Sequence, residues 1–201
     1  RPPYRGMTET LAAPVSTVLL NDLVKAALRA GADAAEAVSA DRRSLSVGVR
    51  NGKLEDVERE ESRDLGLRVF VGQRQASVSA SDLSPATQAR LVERAVAMAR
   101  LAPEDPHASF APQDRLARGP FVDLDLFDPT ERTAEVLEQV SAEAEAAARA
   151  VAGVVRSEGG HAGWSSTRWR LVTSHGFDGA YEGSAFSLGV GVIAEKDGAM
   201  E

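Results

Sequence analysis

Histidine is the commonest metal ligand and general base, so the three histidines are the first candidates for chemistry. His107 lies in a proline-rich stretch, His161 follows two glycines, and His175 sits in a Ser-His-Gly turn. None has a second histidine three to five residues away, and the H-E-x-x-H zinc motif is absent. Metal ligands usually come in such close pairs, so the spacing favours solvated histidines over a metal site.

The serines of one predicted strand are a second candidate, this time for a nucleophile. Ser77, Ser79 and Ser81 alternate with small apolar residues. They lack the G-x-S-x-G elbow that exposes an activated serine at a strand-to-helix turn. The pattern therefore favours a polar sheet face, and the sequence assigns no catalytic residue.

Two further clusters could hold an ion. The acidic run from Glu55 to Glu61 lacks the D-x-D-x-D-G spacing of a calcium loop, which favours a solvated strand face. Gly189 and Gly191 stand inside a strand pattern with no helix start after them, so they form no phosphate loop. We expect these glycines to let another group approach closely. No metal ligand and no binding residue is assigned.

Aromatic and basic residues alternate in one short stretch. Trp164 and Trp169 flank Arg168 and Arg170, an arrangement that could stack bases or hold a peptide. With a net charge of −7, core tryptophans on a sheet are the favoured interpretation.

Composition limits the classes of function. The 201 residues include 23 Lys and Arg against 30 Asp and Glu, which argues against direct nucleic-acid binding. The absence of cysteine excludes disulfides and thiolate zinc sites. The sequence has neither an 18-residue apolar stretch nor a signal-peptide pattern, so we expect no membrane contact and a cytoplasmic location.

The elements that must position these residues begin with a helix around Leu20–Leu28, closed by Gly31. Two hairpins follow, one turning at Asn51-Gly52 and the other near Gly72, and then a helix that starts at Ser84-Pro85. We assign residues 7–102 to this first unit, with the natural start expected at Met7.

Periodicity stops between 103 and 120, where four prolines fall, and we interpret this stretch as a connector. Asp128 and Glu131 then resemble the capping residues of a helix that runs to about Ala150, with Leu137, Val140, Ala144, Ala147 and Val151 on its inner side. Strands are predicted at 154–157, 164–173 and 184–195. Residues 121–201 form the second unit.

The predicted class is therefore α+β, with two small two-layer domains of antiparallel hairpin sheets packed against helices. The last residues, from Glu195 to Glu201, are expected to form a turn and the start of a partner strand. This pattern is typical of a chain that continues into a further C-terminal domain.

Several stretches resemble one family in the same order along the chain. They are residues 31–37, 45–55, 66–72 and 76–84, and the terminal run 187–201. Together they resemble the TldD/PmbA family, and the terminal run resembles its PmbA (TldE) branch, known also as modulator of DNA gyrase. The resemblance covers nearly the whole chain.

The resemblance implies a two-protein bacterial-type metallopeptidase. Its TldD-type subunit carries zinc in a region beyond the one present here, whereas the PmbA-type subunit lacks those ligands. We therefore expect no cofactor in this chain, a TldD-type homologue or a second copy as partner, and unfolded peptides as substrate. Two alternatives stay open: an interaction protein that modulates gyrase or a toxin–antitoxin pathway without proteolysis, and a catalytic homodimer whose zinc ligands lie beyond Glu201.

Overall fold

One antiparallel sheet with three helices on one of its faces forms the chain, in a computed structural model that describes residues 15–196 and 198–200. The proposed start at Met7 lies outside the described residues. The elements are α1 Thr17–Arg29, β1 Ala34–Arg50, β2 Lys53–Val71, β3 Arg74–Ala80, α2 Pro85–Leu101, α3 Ala134–Arg149, β4 Val154–Thr173, β5 Asp178–Lys196 and β6 Ala199–Met200.

The strand order is β3-β2-β1-β4-β5-β6, so the sheet continues across both predicted units. β1 pairs with β2 on one side and with β4 on the other, over most of its length. The α+β class is confirmed. The division into 7–102, 103–120 and 121–201 stays a prediction, although β1 and β4 join the two halves in a single sheet.

Two separate cores lie on the same face of the sheet, because both use the odd-numbered residues of β1. Ala35 and Ala37 belong to the larger core, which α1 and α2 cover. Val47 and Val49 belong to the smaller one, which packs against Leu137 of α3. The three helices of residues 15–196 therefore cover one side of the sheet, and within that range the other side carries no helix.

Local signals placed the turns and the helix ends of the first half correctly. Gly31 has φ +98° after the last turn of α1, and Asn51 and Gly52 have the positive φ angles of a type I′ turn. Ser84 caps α2, with Pro85 in its first turn. The strands are longer than predicted: the return strand of the first hairpin and the first strand of the second hairpin form the single strand β2, and the segments 154–157 and 164–173 form the single strand β4.

The predicted start of the third helix at Asp128 is wrong. The helix begins at Ala134 and is capped by Thr133, whose hydroxyl accepts from the Val136 N–H. Asp128 instead accepts from the Thr130 N–H at 2.8 Å, and Glu131 pairs with Arg43. Both side chains therefore make other contacts, and neither caps the helix. The chain has no helix or strand from Ala102 to Thr133 except a 3₁₀ turn at Gln113–Arg115.

The turn and partner strand expected near the end are confirmed for the described residues. Ala199 and Met200 pair antiparallel with Lys196 and Glu195. No helix in the described part of the chain is long and apolar enough to cross a membrane.

Candidate functional site

The three histidines lie on three different segments of the chain. His107 is in the irregular segment after α2, and His175 is in the turn before β5, where its ring meets Phe110 edge-on at 4.9 Å. His161 lies on β4, over Gly189. Within residues 15–196 and 198–200, no three His, Asp or Glu side chains come together in a way that could hold a metal ion.

The close approach expected at the strand glycines is present. A β-carbon at Gly189 would lie 2.5 Å from Cε1 of His161, so only glycine leaves room for that ring. The serine and acidic clusters are also placed as expected. Ser77 and Ser79 are exposed on β3, and residues 55–61 are exposed along β2.

The two tryptophans lie on opposite faces of the sheet, so the aromatic and basic stretch is not one surface. Trp164 is 8% exposed on the helix-covered face, where the Arg43 guanidinium lies 5.9 Å from its ring. Trp169 has the opposite parity on β4 and lines an open cleft. The expectation of a core tryptophan therefore holds for Trp164 and is wrong for Trp169.

This cleft has a volume of about 920 Å³ and is formed by residues 121–127 and the sheet face that carries no helix. We call it the connector cleft. Its sheet side is supplied by Val38, Trp169, Leu171, Phe177 and Tyr181, and its other side by Phe121, Val122, Leu124, Leu126 and Phe127. The cleft is the largest described on the chain, and its lining is mainly apolar.

The 121–127 segment is held at the edge of β5. The Ser184 N–H donates to the Leu126 carbonyl at 2.9 Å, and the Asp128 N–H donates to the Ser184 hydroxyl at 2.8 Å. These two bonds fix the segment beside the strand. Its large apolar side chains nevertheless stay exposed, with Val122 at 81% and Leu124 at 69%.

Acidic groups border the cleft. Asp123 and Asp125 alternate with the apolar residues of the segment, and no ion pair with a cation involves either of them in the described structure. Arg170, which also lines the cleft, is paired with Asp178 at 2.9 Å, and Glu182 is paired with Arg168. The lining therefore has a net negative charge.

The two open edges of the sheet differ in charge. β3 pairs with β2 only from Leu65 onward, so within the described residues no strand pairs with the outer edge of 53–64, and that stretch is densely charged. Beyond Ser184, where the 121–127 segment is held, the outer part of β5 from Ala185 to Ala194 carries no charged residue. Natural sheets usually protect an open edge with charge, so the β5 edge has the composition of an edge that pairs.

Pattern analysis of the third helix missed a buried carboxylate. The predictions for Leu137, which is buried, and Val140, which packs against the smaller core, are confirmed, but the buried stripe continues through Ser141 and Glu145, and Ala147 and Val151 are exposed. A β-carbon at Gly160 would lie 2.5 Å from the Ser141 carbonyl oxygen, so the glycine lets α3 pack closely on β4. The i, i+4, i+8 spacing of the stripe was the available signal, but two of its members are polar.

Glu145 joins α3 to the turn between β1 and β2. Its side chain accepts from the N–H groups of Asn51 and Gly52, each at 2.8 Å, and from the Ser157 hydroxyl. Burial raises the pKa of Glu145, but the bonds from Ser157, Gly52 and Asn51 outweigh it and hold the pKa below its usual value. The carboxylate is therefore ionised and fixes the hairpin against the helix.

Two domains of one protein family match this chain. Residues 35–99 match PmbA/TldA metallopeptidase domain 1, and residues 127–201 match the PmbA/TldA metallopeptidase central domain. Together the two ranges take in more than half of the chain. The chain belongs to the PmbA/TldD metallopeptidase family.

Curated relatives agree with this assignment. The chain is 35% identical over 187 residues to the metalloprotease PmbA of Escherichia coli O157:H7, covering 91% of this chain and 41% of that protein. It is 31% identical over 179 residues to a PmbA homologue of Haemophilus influenzae, covering 89% and 39%. The chain thus spans about two fifths of the length of these relatives.

Solved structures share the fold. A Bacteroides thetaiotaomicron protein described as a modulator of DNA gyrase has a TM-score of 0.82 at 18% identity, covering 91% of this chain and 42% of its own. TldE from Thermococcus kodakarensis has a TM-score of 0.72 at 18% identity, covering 90% and 40%.

Proposed function

We propose that this chain is the N-terminal part of a PmbA/TldE-like subunit of a TldD/TldE-type metallopeptidase complex in the cytoplasm. In this proposal the complex processes unfolded peptides, the TldD-type partner supplies the zinc, and the present subunit contributes none. The observation that carries the proposal is the match to both the first and the central domain of the family, in that order.

Two features of the chain support a role in handling peptides. Unfolded peptides pair with open strand edges through main-chain hydrogen bonds, which requires little of their sequence. The uncharged stretch of β5 supplies such an edge, and the connector cleft adds an apolar surface next to it.

A second candidate is an interaction protein that acts on gyrase or a toxin–antitoxin pathway without proteolysis. The structural neighbour described as a modulator of DNA gyrase favours it. A partner interaction alone would use the same exposed surfaces.

Co-purification separates these proposals. The full-length protein and a TldD-type homologue, expressed together, are expected to elute from a sizing column as one complex that survives dilution. Addition of an unfolded peptide to that complex should give cleavage that a zinc chelator abolishes. Separate elution together with no cleavage would overturn the peptidase proposal and leave the interaction protein.

A further inference from the structure

The connector cleft has more exposed apolar surface than a closed loop on a sheet requires. Phe121, Val122, Leu124 and Leu126 are exposed together, and Tyr181 on the facing strand is exposed as well. Single exposed apolar residues are normal, whereas a contiguous patch of this kind marks a binding surface. The volume of about 920 Å³ lies at the upper end of the range for ligand sites, roughly 300–1,000 Å³.

The shape of the cleft suits an extended ligand. Residues 121–127 are themselves without helix, and the facing wall is three adjacent strands, β1, β4 and β5. Trp169, Leu171 and Tyr181 recur at alternate positions on these strands, so they lie in rows along one face. A row of such contacts accepts alternate side chains of an extended chain.

The charge of the cleft selects among possible occupants. Asp123 and Asp125 carry charges that no cation in the described residues offsets through an ion pair. A second copy of this chain, whose net charge is −7, would bring its own carboxylates against them, and like charges disfavour such a contact. A basic partner is favoured for the same reason.

We propose that the connector cleft binds an extended peptide segment with large apolar side chains flanked by lysine or arginine. The inference rests on the proposed function, because it names the surface with which this subunit would contact the peptide. The apolar residues hold the side chains, and the two aspartates select the basic flank. Trp169 lies in the proposed contact, so its fluorescence should change when a peptide binds.

The test uses fluorescein-labelled peptides and the full-length protein, with binding followed by anisotropy. One peptide has alternating Leu and Phe with Lys at both ends, a second has the same centre with Glu ends, and a third has a Ser-Gly centre with Lys ends. The first is expected to bind at least about tenfold more tightly than the other two, with loss of affinity as salt is raised.

Variants locate the binding. Val122→Ser with Leu124→Ser should weaken the first peptide about tenfold or more, since two exposed side chains lose their apolar contacts. Asp123→Asn with Asp125→Asn keeps the turn, because Asn also tolerates the φ of +51° at position 125, and should abolish the preference for Lys over Glu ends. Leu101→Ser, at a residue that is 88% exposed outside the cleft, is the matched control and should bind normally.

Three results would overturn the inference: equal binding of all three peptides, binding that the cleft substitutions leave unchanged, or self-association that the serine substitutions abolish. If the first peptide does not bind while the full-length pair still cleaves unfolded peptides, the inference fails and the proposed function stands. If it binds in the cleft and the pair cleaves nothing, the inference stands without the proposed function.

Discussion

Replacement of Glu145 by Gln tests whether one buried carboxylate fixes the β1–β2 hairpin to α3. The side chain is 1% exposed and accepts from Asn51, Gly52 and Ser157. Asn51 and Ser157 donate to Oε1, whereas Gly52 donates to Oε2. A glutamine can therefore keep two bonds through its oxygen, but its NH₂ group then faces the Gly52 N–H.

The expected loss follows from that count. A hydrogen bond to a charged group contributes about 1.5–3 kcal/mol, so loss of one bond and of the charge should lower the free energy of unfolding by about 2 kcal/mol. In a chain of this length, that change lowers Tm by roughly 4–8 °C. Glu145→Ala removes the acceptor for all three donors and should cost more.

The effect depends on pH in a defined direction. The folded-state pKa of Glu145 lies below the ordinary value of about 4.3, so the folded state favours the ionised form. Its contribution is complete above about pH 5 and is lost as pH falls through the folded pKa. The difference between wild type and Glu145→Gln should therefore be constant from pH 7 to 5 and shrink below about pH 4.

Urea unfolding followed by circular dichroism at pH 7, 5 and 3.5 measures that difference, and the other carboxylates cancel because both proteins contain them. Glu143→Gln, an exposed position on the same helix, is the matched control and should change stability by less than about 0.5 kcal/mol. A Glu145→Gln difference as small as the control, or one that persists unchanged at pH 3.5, would refute the proposed link.

Three more outcomes are expected. Gly160→Ala forces a β-carbon against the Ser141 carbonyl and should destabilise the chain by about 1–3 kcal/mol. Gly48→Ala is the control, because its β-carbon meets only ordinary contacts. Similar Tm values of the two variants in calorimetry would contradict this prediction. Limited proteolysis should cut first within 103–120, and mass spectrometry showing earlier cuts within 65–81 would oppose the two-unit division. Elemental analysis after dialysis should find well under one zinc per chain, and a retained stoichiometric zinc would contradict the metal-free assignment.

The predictable parts of the fold are those with short-range signals. The Ser84 cap of α2 and the Asn51-Gly52 turn depend on neighbours within a few residues, and both match the structure. The alternation before the Asn51-Gly52 turn predicted a strand only over residues 44–50, whereas β1 begins at Ala34, because the charged residues at 41–43 interrupt the alternation. Asp41 there pairs with Arg63 across the strands, at 2.5 Å, a contact that no local pattern contains.

The position of the candidate site follows from contacts between residues that are far apart in the sequence. Residues 121–127 were placed only as the beginning of the second unit, and their exposure follows from how the segment meets β5 at Ser184. The sequence shows that Trp164 and Trp169 lie on opposite faces of a strand, but it does not show which face of the sheet the helices leave uncovered. Glu145 was missed since a carboxylate in an alanine-rich helix predicts an exposed position.

Cleavage of an unfolded peptide by the purified full-length protein, alone and mixed in equal amounts with a TldD-type homologue, tests the central claim most directly. The account predicts no cleavage by this protein alone, and zinc-dependent cleavage in the mixture. Zinc-dependent cleavage by this protein alone would contradict the assignment to a non-catalytic subunit.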